Sequence, residues 1–358
     1  MKYKRAVQVI CMAMVAFVGI NFFLWKSITE ELLTGKNYAG GDLARMGYLN
    51  SLKQPRINYF DLPVIHMEME EYRGQKVDVI TIGDSFSNGG GGGKNSYYQD
   101  YLASLNGFTV LNIRPFKDRD SITTAAVLCN DGTLDRMKPR FLLIESSQKF
   151  CIEDFARQID FNLNVILERH DLYKNPSQGK RQPAIEGNRQ PVFVFINNGN
   201  LKFLLYNLLY RFSDHAFFSK TCVLEMTKSL FSVKNGHKLL FLRDDVKRIP
   251  SADTKSIAFL NSNLNALARK LDAKGIKLYF MPCVDKYTLY SDYIRKNPYP
   301  RSAFFEELRK LPKGYTLIDT KAILTVELKK GEKDLYYADD THWSWKAAKK
   351  IFETVRLQ

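Results

Sequence analysis

Histidine and cysteine are scarce, with five of each among 358 residues, and neither a CxxC nor an HExxH pattern occurs. A zinc site therefore has little support in the sequence. Cys11 lies in an apolar N-terminal run, and Cys129, Cys151, Cys222 and Cys283 are widely spaced. An even number outside that run permits disulfides in an oxidising compartment, and buried free thiols fit as well. Acidic residues are also short, 38 against 53 Lys and Arg, giving a net charge of +15. Nucleic acid is one partner for such a chain. Anionic lipid headgroups or an anionic polysaccharide are others, and a solvated basic surface without a specific ligand is equally open. A phosphate-binding loop is excluded despite the run Gly89–Gly93 and Lys94. Asn88 stands where that motif needs its first glycine, and Asn95 where it needs Ser or Thr. Disorder is not the default, because apolar residues make up 45% and charged residues 25%.

The N-terminus is unlike the rest. Lys2, Lys4 and Arg5 precede an uncharged stretch from Ala6 to Trp25, about the 20 residues a helix needs to cross a bilayer. Basic residues ahead of it predict a cytoplasmic N-terminus. The remainder would then lie in the periplasm or another extracytoplasmic space, which argues against nucleic acid as partner. The run ends in Phe22, Phe23, Leu24, Trp25 and Lys26 without a small-x-small cleavage site. We therefore expect an uncleaved single-pass anchor in the inner membrane rather than a signal peptide. Residues 1–25 are read as cytoplasmic tip and anchor, 26–75 as a turn-rich connecting region, and 76–358 as the main domain.

Within that domain strands and helices alternate. Strands are expected at Val77–Ile82, Phe108–Ile113, Arg140–Ser146, Ile276–Met281 and Tyr315–Ile318. Helices are expected near Ser96–Ser104, Ser121–Asn130, Asp253–Lys274 before Gly275, and at the C-terminus. Alternation of this kind predicts an α/β fold with a mostly parallel sheet and helices on both faces. Ligands of such sheets bind beyond the carboxyl ends of the strands. Residues from about 155 to 250 break the rhythm, with 15 basic and 8 acidic residues, and read as a basic helical insertion. In it Leu201–Phe212 is apolar on nearly every side. A buried cap helix is the simpler reading, and an interfacial helix against a membrane or partner the other.

Two elements carry chemistry. Gly83-Asp84-Ser85-Phe86-Ser87 follows the first strand, where a serine can expose its hydroxyl and the next N–H groups can form part of an oxyanion hole. Asp339-Asp340-Thr341-His342-Trp343 precedes the last helix. A serine needs a base, and the base an orienting carboxylate. An aspartate two or three residues before a histidine reaches its Nδ1 within one loop. His66, His170, His215 and His237 lack that setting. The plainer alternative makes Asp339 or Asp340 a cap of the last helix. The glycine run after Ser85 reads as a flexible loop that lets a bulky donor or glycan approach.

With GDSF after the first strand and an aspartate-histidine pair before the last helix, the chain resembles the SGNH, or GDSL-type, hydrolases. The DTHWS version at Asp340–Ser344, and the strand Phe141–Ile144 leading into Glu145, are similar to the alginate O-acetyltransferase-like branch. The resemblance covers most of residues 77–150 and 275–358. It implies a three-layer α/β/α sandwich with Ser85 as nucleophile, His342 as base and Asp340 as the orienting acid. Plain SGNH spacing would select Asp339, while Trp343 matches the version that selects Asp340. Gly83, Asp84, Phe86, Asn88, Gly89 and Trp343 are the expected substrate or oxyanion neighbours.

The same resemblance implies O-acyl transfer to an exported or cell-surface polysaccharide, with no cofactor and no metal, beside a multispanning acyltransferase that passes the acyl group outward. A carbohydrate or lipid esterase, a silent glycan-binding scaffold, and a factor like that of teichoic acid D-alanylation are the rivals. There are two departures. In the alginate members the aspartate-histidine pair precedes the serine. The usual Gly and Asn oxyanion donors are also not evident at Asn112 and Arg114 or at Ser146, Ser147 and Gln148.

Overall fold

The computed structural model describes residues 2–34, 40–163, 165 and 195–358. The middle of the expected insertion, His170 included, lies outside the described residues. Helix α1 (Lys2–Leu24) has 23 residues. At 1.5 Å per residue it is about 34 Å long, enough for a hydrocarbon layer of about 30 Å. Its large apolar side chains, from Tyr3 through Phe17 to Phe23, are exposed. Among the described residues it is the one helix long and apolar enough to cross a membrane. A single π-helical stretch, Trp25–Thr29, joins it to α2 (Glu30–Thr34).

In chain order α3 (Asp42–Gly47) precedes β1 (Met67–Glu68), β2 (Val79–Ile82), α4 (Tyr98–Asn106) and β3 (Val110–Ile113). Next come α5 (Ser121–Asn130), α6 (Thr133–Met137), β4 (Phe141–Ser147) and α7 (Gln148–Phe155). Then follow α8 (Asn198–Leu209), β5 (Thr221–Glu225), β6 (Lys238–Leu242), α9 (Arg243–Lys247), α10 (Thr254–Asp272) and β7 (Lys277–Cys283). The chain closes with α11 (Lys286–Tyr290), α12 (Phe304–Lys310), β8 (Thr316–Leu317), α13 (Thr320–Lys329) and α14 (Trp345–Thr354).

Six strands form one sheet in the order β1-β3-β2-β4-β7-β8. Every pairing in it is parallel. Parallel strands covered on both faces should be apolar throughout, and β2, β3 and β4 are buried at every position. Helices α5 and α10 cover one face; α4, α13 and α14 cover the other. Tyr98 of α4 stacks on Phe352 of α14 at 5.6 Å. Helix α10 shows why these segments are helical. Asp253 caps it by accepting from the Ser256 N–H. Ile257, Leu260, Leu264, Leu267 and Leu271 recur at helical spacing and are buried. Gly275, at φ +73°, lets the chain turn into β7.

The sheet and its helices match the α/β expectation. The differences lie elsewhere. The insertion is not wholly helical, because β5 and β6 form an antiparallel hairpin within it. Residues 26–75 are more than a connection: β1 adds an edge strand, and α3 packs on that hairpin. Two-residue β1 is too short to carry an alternating pattern. Helix α8 is not a buried cap helix, since its leucines face outward. All five cysteines are free, and Cys129, Cys151, Cys222 and Cys283 are buried thiols.

A charged group is built into the β1 edge. Buried His66 meets Asp100 at 2.6 Å through Nδ1 and Glu68 at 3.3 Å through Nε2. Burial opposes its charge, yet the bonds to Asp100 and Glu68 raise its pKa from 6.5 to about 9. Its contribution to stability is therefore complete below pH 6.5 and is lost as pH rises through 9. The loss should be on the order of 3 kcal/mol. Denaturant titrations at pH 6.5 and 9.5 check this, and His66→Gln should flatten the difference. An unchanged pH dependence in that variant would refute it.

Candidate active site

Strand β2 delivers the chain to the carboxyl edge of the sheet, and a buried acid from β4 shapes the turn that follows. Glu145 Oε2 accepts from the Asp84 N–H (3.0 Å), the Ser87 N–H (3.1 Å) and the Ser87 hydroxyl (2.7 Å). Glu145 Oε1 receives the Cys283 thiol at 3.3 Å. Burial, then the nearby charge of Asp84, pushes the Glu145 carboxyl well above its ordinary range. A Cβ on Gly83 would lie 2.3 Å from Glu145 Oε2 and 2.2 Å from Ser87 Oγ, so only glycine fits there. Asp84 accepts from the Ser147 N–H and hydroxyl, each at 2.8 Å, and from the Phe86 N–H at 3.1 Å. The outcome is an exposed Ser85 between neighbours tied to β4.

Ser85 Oγ lies 2.8 Å from His342 Nε2. On the other side of the ring, Nδ1 lies 2.7 Å from Asp340 Oδ1, which also accepts the His342 N–H at 2.9 Å. Burial would raise Asp340, but the bond and charge of His342, with Arg56 near, hold it well below the carboxylate range. Burial would likewise lower His342, and the Asp340 bond together with the charges of Asp340 and Asp42 raises it above 6.5. Asp42 accepts from the Thr341 N–H and hydroxyl at 2.8 and 2.6 Å. Burial, then the charge of Asp340, raises its carboxyl. Asp42, Asp340 and His342 bring possible ligand atoms within 4.8 Å of one another. Each is already engaged in this network.

The imidazole is clasped on both sides. The Phe86 ring stands edge-on at 4.9 Å. On Gly90, a Cβ would sit 2.2 Å from His342 Cδ2 and 2.5 Å from Nε2. The glycine run thus lets backbone lie against the ring. Gly89, at φ +72°, packs on Tyr97, and the Gly90 N–H donates to the Ser85 carbonyl at 2.8 Å.

Sequence reasoning missed the cations that hold the Asp339–His342 loop. Arg56 donates through Nη1 to both Asp339 oxygens (2.8 and 2.9 Å) and through Nη2 to Asp340 Oδ2 (3.2 Å). Its Nε donates to the Gly91 carbonyl at 2.9 Å, and it lies 4.3 Å over the Tyr337 ring. Asp339 also accepts the N–H groups of Gly41 and Gln54 at 2.9 and 2.8 Å. Asp339 is therefore the tether of the 41–56 segment, and Asp340 is the acid that reaches His342. Beneath them buried Lys286 donates to the carbonyls of Tyr337 (2.7 Å), Ala338 (2.9 Å) and Asp340 (3.0 Å). Burial lowers its pKa to about 7 against the pull of Asp339 and Asp340. Three carbonyl acceptors match the three N–H bonds of an ammonium. No local pattern announces Arg56 or Lys286, which lie far from the loop in sequence.

The remaining expected neighbours are placed as follows. Trp343 is buried and packs on Phe86 at 4.7 Å, bracing that ring from behind rather than facing outward. Asn88 donates to the Asp84 carbonyl at 2.9 Å, and its Oδ1 is buried without a donor. Asn112 is spent on Glu68 and the Ser87 carbonyl, and Gln148 on Ser302 and the Asp285 N–H. The last helix is capped by Ser344, not by Asp339 or Asp340. His215 does have an aspartate, Asp214 at 2.7 Å. The hydroxyls near that pair, Tyr299 at 2.5 Å and Ser213 at 3.5 Å, both donate to Asp214 rather than meeting the imidazole.

If Asp340 raises His342, removing its charge must lower the imidazole. Asp340→Asn should bring the His342 titration, followed by imidazole proton NMR, down by about one unit or more. Asp339→Asn should lower the melting temperature while moving that titration less. Equal shifts in both variants would refute the division of labour.

No curated protein matches the chain. A family model does: the SGNH hydrolase-like domain of acetyltransferase AlgX matches residues 233–356. The matched stretch runs from the hairpin through β7 to α14 and includes Asp339, Asp340 and His342, while Ser85 lies outside it. Such a domain is that of an esterase or acyltransferase, and the match supports O-acetyl transfer in general. Residues 233–356 thus match the SGNH hydrolase-like domain of the AlgX acetyltransferase, and the six-stranded parallel sheet covered on both faces is an SGNH-like fold.

Proposed function

We propose that this chain transfers an acetyl group to a polysaccharide hydroxyl outside the cytoplasmic membrane, through an acyl-serine on Ser85. The observation that carries the reading is the chain of short contacts from Ser85 Oγ through His342 to Asp340. His342 Nε2 takes the Ser85 proton as Oγ attacks the acyl carbonyl, and the tetrahedral oxyanion collapses with loss of the leaving group, to which His342 returns the proton. A sugar hydroxyl then attacks the acyl-serine, His342 again removing its proton, and Ser85 is regenerated. The Ser85 N–H points to one oxyanion donor. It has no partner in the hydrogen bonds that fix the neighbouring N–H groups of Asp84, Phe86 and Ser87.

Asp340 accepts from His342 Nδ1–H and so holds the imidazole in the tautomer whose Nε2 is the proton acceptor, and its charge stabilises the imidazolium that forms. Membership in an acetyltransferase-type domain favours a sugar acceptor over water. The donor is an acyl group passed across the membrane by a multispanning acyltransferase, with α1 holding the chain beside it. Hydrolysis of an acetylated glycan uses the same groups and is the second reading.

The full-length chain in vesicles, given a small activated acetyl ester and an oligosaccharide, tests this by mass. Acetylated sugar is expected, with rates falling on the order of 10⁶-fold in Ser85→Ala and His342→Ala. Free acetate without acetylated sugar would sink the transferase reading in favour of the esterase. Turnover unchanged in Ser85→Ala would remove the nucleophile.

His342 must be neutral to act as base, and its pKa is raised. The rate should therefore climb with pH through a value above 6.5 and then level off. Gly90→Ala should cost as much activity as His342→Ala at an unchanged melting temperature, because the new methyl occupies the imidazole's position. Full activity in that variant would show the ring has another seat.

A further inference from the structure

Helix α8 is amphipathic in the wrong sense for a soluble surface. Leu201, Leu204, Leu205 and Leu208 fall within about 100° of one another on the helix, and all four face outward, Leu201 at 63% exposure. Phe212 and the tip residues Phe217 and Phe218 extend the apolar surface, Phe218 at 89% exposure. The opposite side of α8 is the buried one, and it carries Asn200, Tyr206 and Asn207. A patch of this kind on a folded domain marks a surface that meets something.

Its location says what. The start of α8 is fastened to the outer end of the membrane helix. Asn200 Nδ2 donates to Asn21 Oδ1 at 3.0 Å and to the Asn21 carbonyl at 3.2 Å. The Thr29 hydroxyl donates to Asn200 Oδ1 at 2.5 Å. Phe195 packs edge-on against Phe22 at 5.8 Å. The uncharged span of about 20 residues from Ala6 leaves the hydrocarbon near Trp25, between Asn21 and Thr29, the two residues bonded to Asn200. Helix α8 therefore joins α1 where the headgroups lie. Lys202, Arg211 and Lys220 flank the leucines, while the one acid from 196 to 220, Asp214, is engaged with His215 and Tyr299. Leucine and phenylalanine beside basic side chains are the composition of a helix lying in a bilayer interface.

We propose that α8 and the Phe217-Phe218 tip form a second membrane contact, lying in the anionic headgroup layer next to α1, so that the domain is seated on the bilayer instead of hanging from a single helix. The consequence reaches the candidate site. Tyr48, at the end of α3, packs on Tyr206 of α8 at 5.5 Å, and its carbonyl accepts from Asn207 at 2.9 Å. Asp42, at the start of α3, binds Thr341 next to His342. Six-residue α3 is about 9 Å long. One short helix thus separates the membrane-facing element from the loop that bears His342.

The test uses the full-length chain with Cys11→Ser and one new cysteine, Leu204→Cys, Leu208→Cys or Phe218→Cys. Phe259→Cys, on α10, is the comparison. Each is labelled with a polarity-sensitive fluorophore and placed in phosphatidylcholine–phosphatidylglycerol vesicles that contain no other protein. The lipids carry a quencher just below the headgroups. Labels at 204, 208 and 218 should shift to the blue and lose about half or more of their emission, while the label at 259 should not. Adding Leu201→Glu and Leu205→Glu should release the label at 218 with α1 still inserted. The proposal is overturned if 208 and 218 behave like 259. It is also overturned if they are shielded only in native membranes and not in pure lipid, since the face then belongs to another protein. None of these readouts depends on the acyl-transfer reading.

Discussion

The candidate site depends on holding two adjacent, buried carboxylates in fixed places beside an imidazole. Asp339 and Asp340 repel each other, and burial penalises both charges. Arg56 resolves the conflict by bonding both at once, bidentate to Asp339 and through its second nitrogen to Asp340. The two terminal nitrogens of one guanidinium span the two carboxylates, while Nε is left to bond the Gly91 carbonyl. Lys286 works from below, turning three carbonyls of the same loop inward. Without these cations the loop would expel a carboxylate or protonate it, and His342 would lose the charge that orients it.

The same network explains why two neighbouring aspartates have different partners. One faces the 41–56 segment and takes the N–H groups of Gly41 and Gln54. The other faces the ring. Gly41 has no room for a side chain, since a Cβ there would lie 2.3 Å from the Asp339 carbonyl oxygen. The segment and the loop are therefore pressed together, and Asp42, bonded to Thr341, fixes the residue next to His342 from the other side. Charge, hydrogen bonding and steric fit all point to one loop conformation, the consistency expected of a functional constellation.

Much of this was legible in the sequence. Strands β2, β3, β4 and β7 are apolar runs bounded by turns, and α5 and α10 carry helical spacing with their caps. Ser85 and His342 stood out because a local rule governs each, a serine after a strand and a histidine just past an acid. Asp339 and Asp340 could not be separated by spacing alone, because either reaches Nδ1. The 41–56 segment, more than 280 positions away in the chain, separates them by claiming Asp339 through the Gly41 and Gln54 N–H groups, which leaves Asp340 to His342. Gly90 read as a flexible position, yet its reason is close approach to a ring at the far end of the sequence. Helix α8 misled for a related reason. An all-apolar segment does not say which face is covered, and a leucine-rich helix buries its leucines by default unless a membrane takes that role.

Placement of the polar groups on α8 shows which force decided. Asn200 and Asn207 have costly side chains to bury, and each is satisfied, Asn200 by Asn21 and Thr29, Asn207 by the carbonyls of Tyr48 and Phe203. A helix that spends its polar residues on the protein and turns its leucines outward is the arrangement a membrane-facing helix would have. The membrane helix and the site-bearing domain are then coupled by buried hydrogen bonds rather than by a linker. Asn21 and Thr29 bond Asn200 at the start of α8, Asn207 farther along α8 bonds the Tyr48 carbonyl at the end of α3, and Asp42 ends the path at the loop of His342. Coupling of this kind fixes the loop of His342, and with it the Ser85–His342 contact, relative to α1.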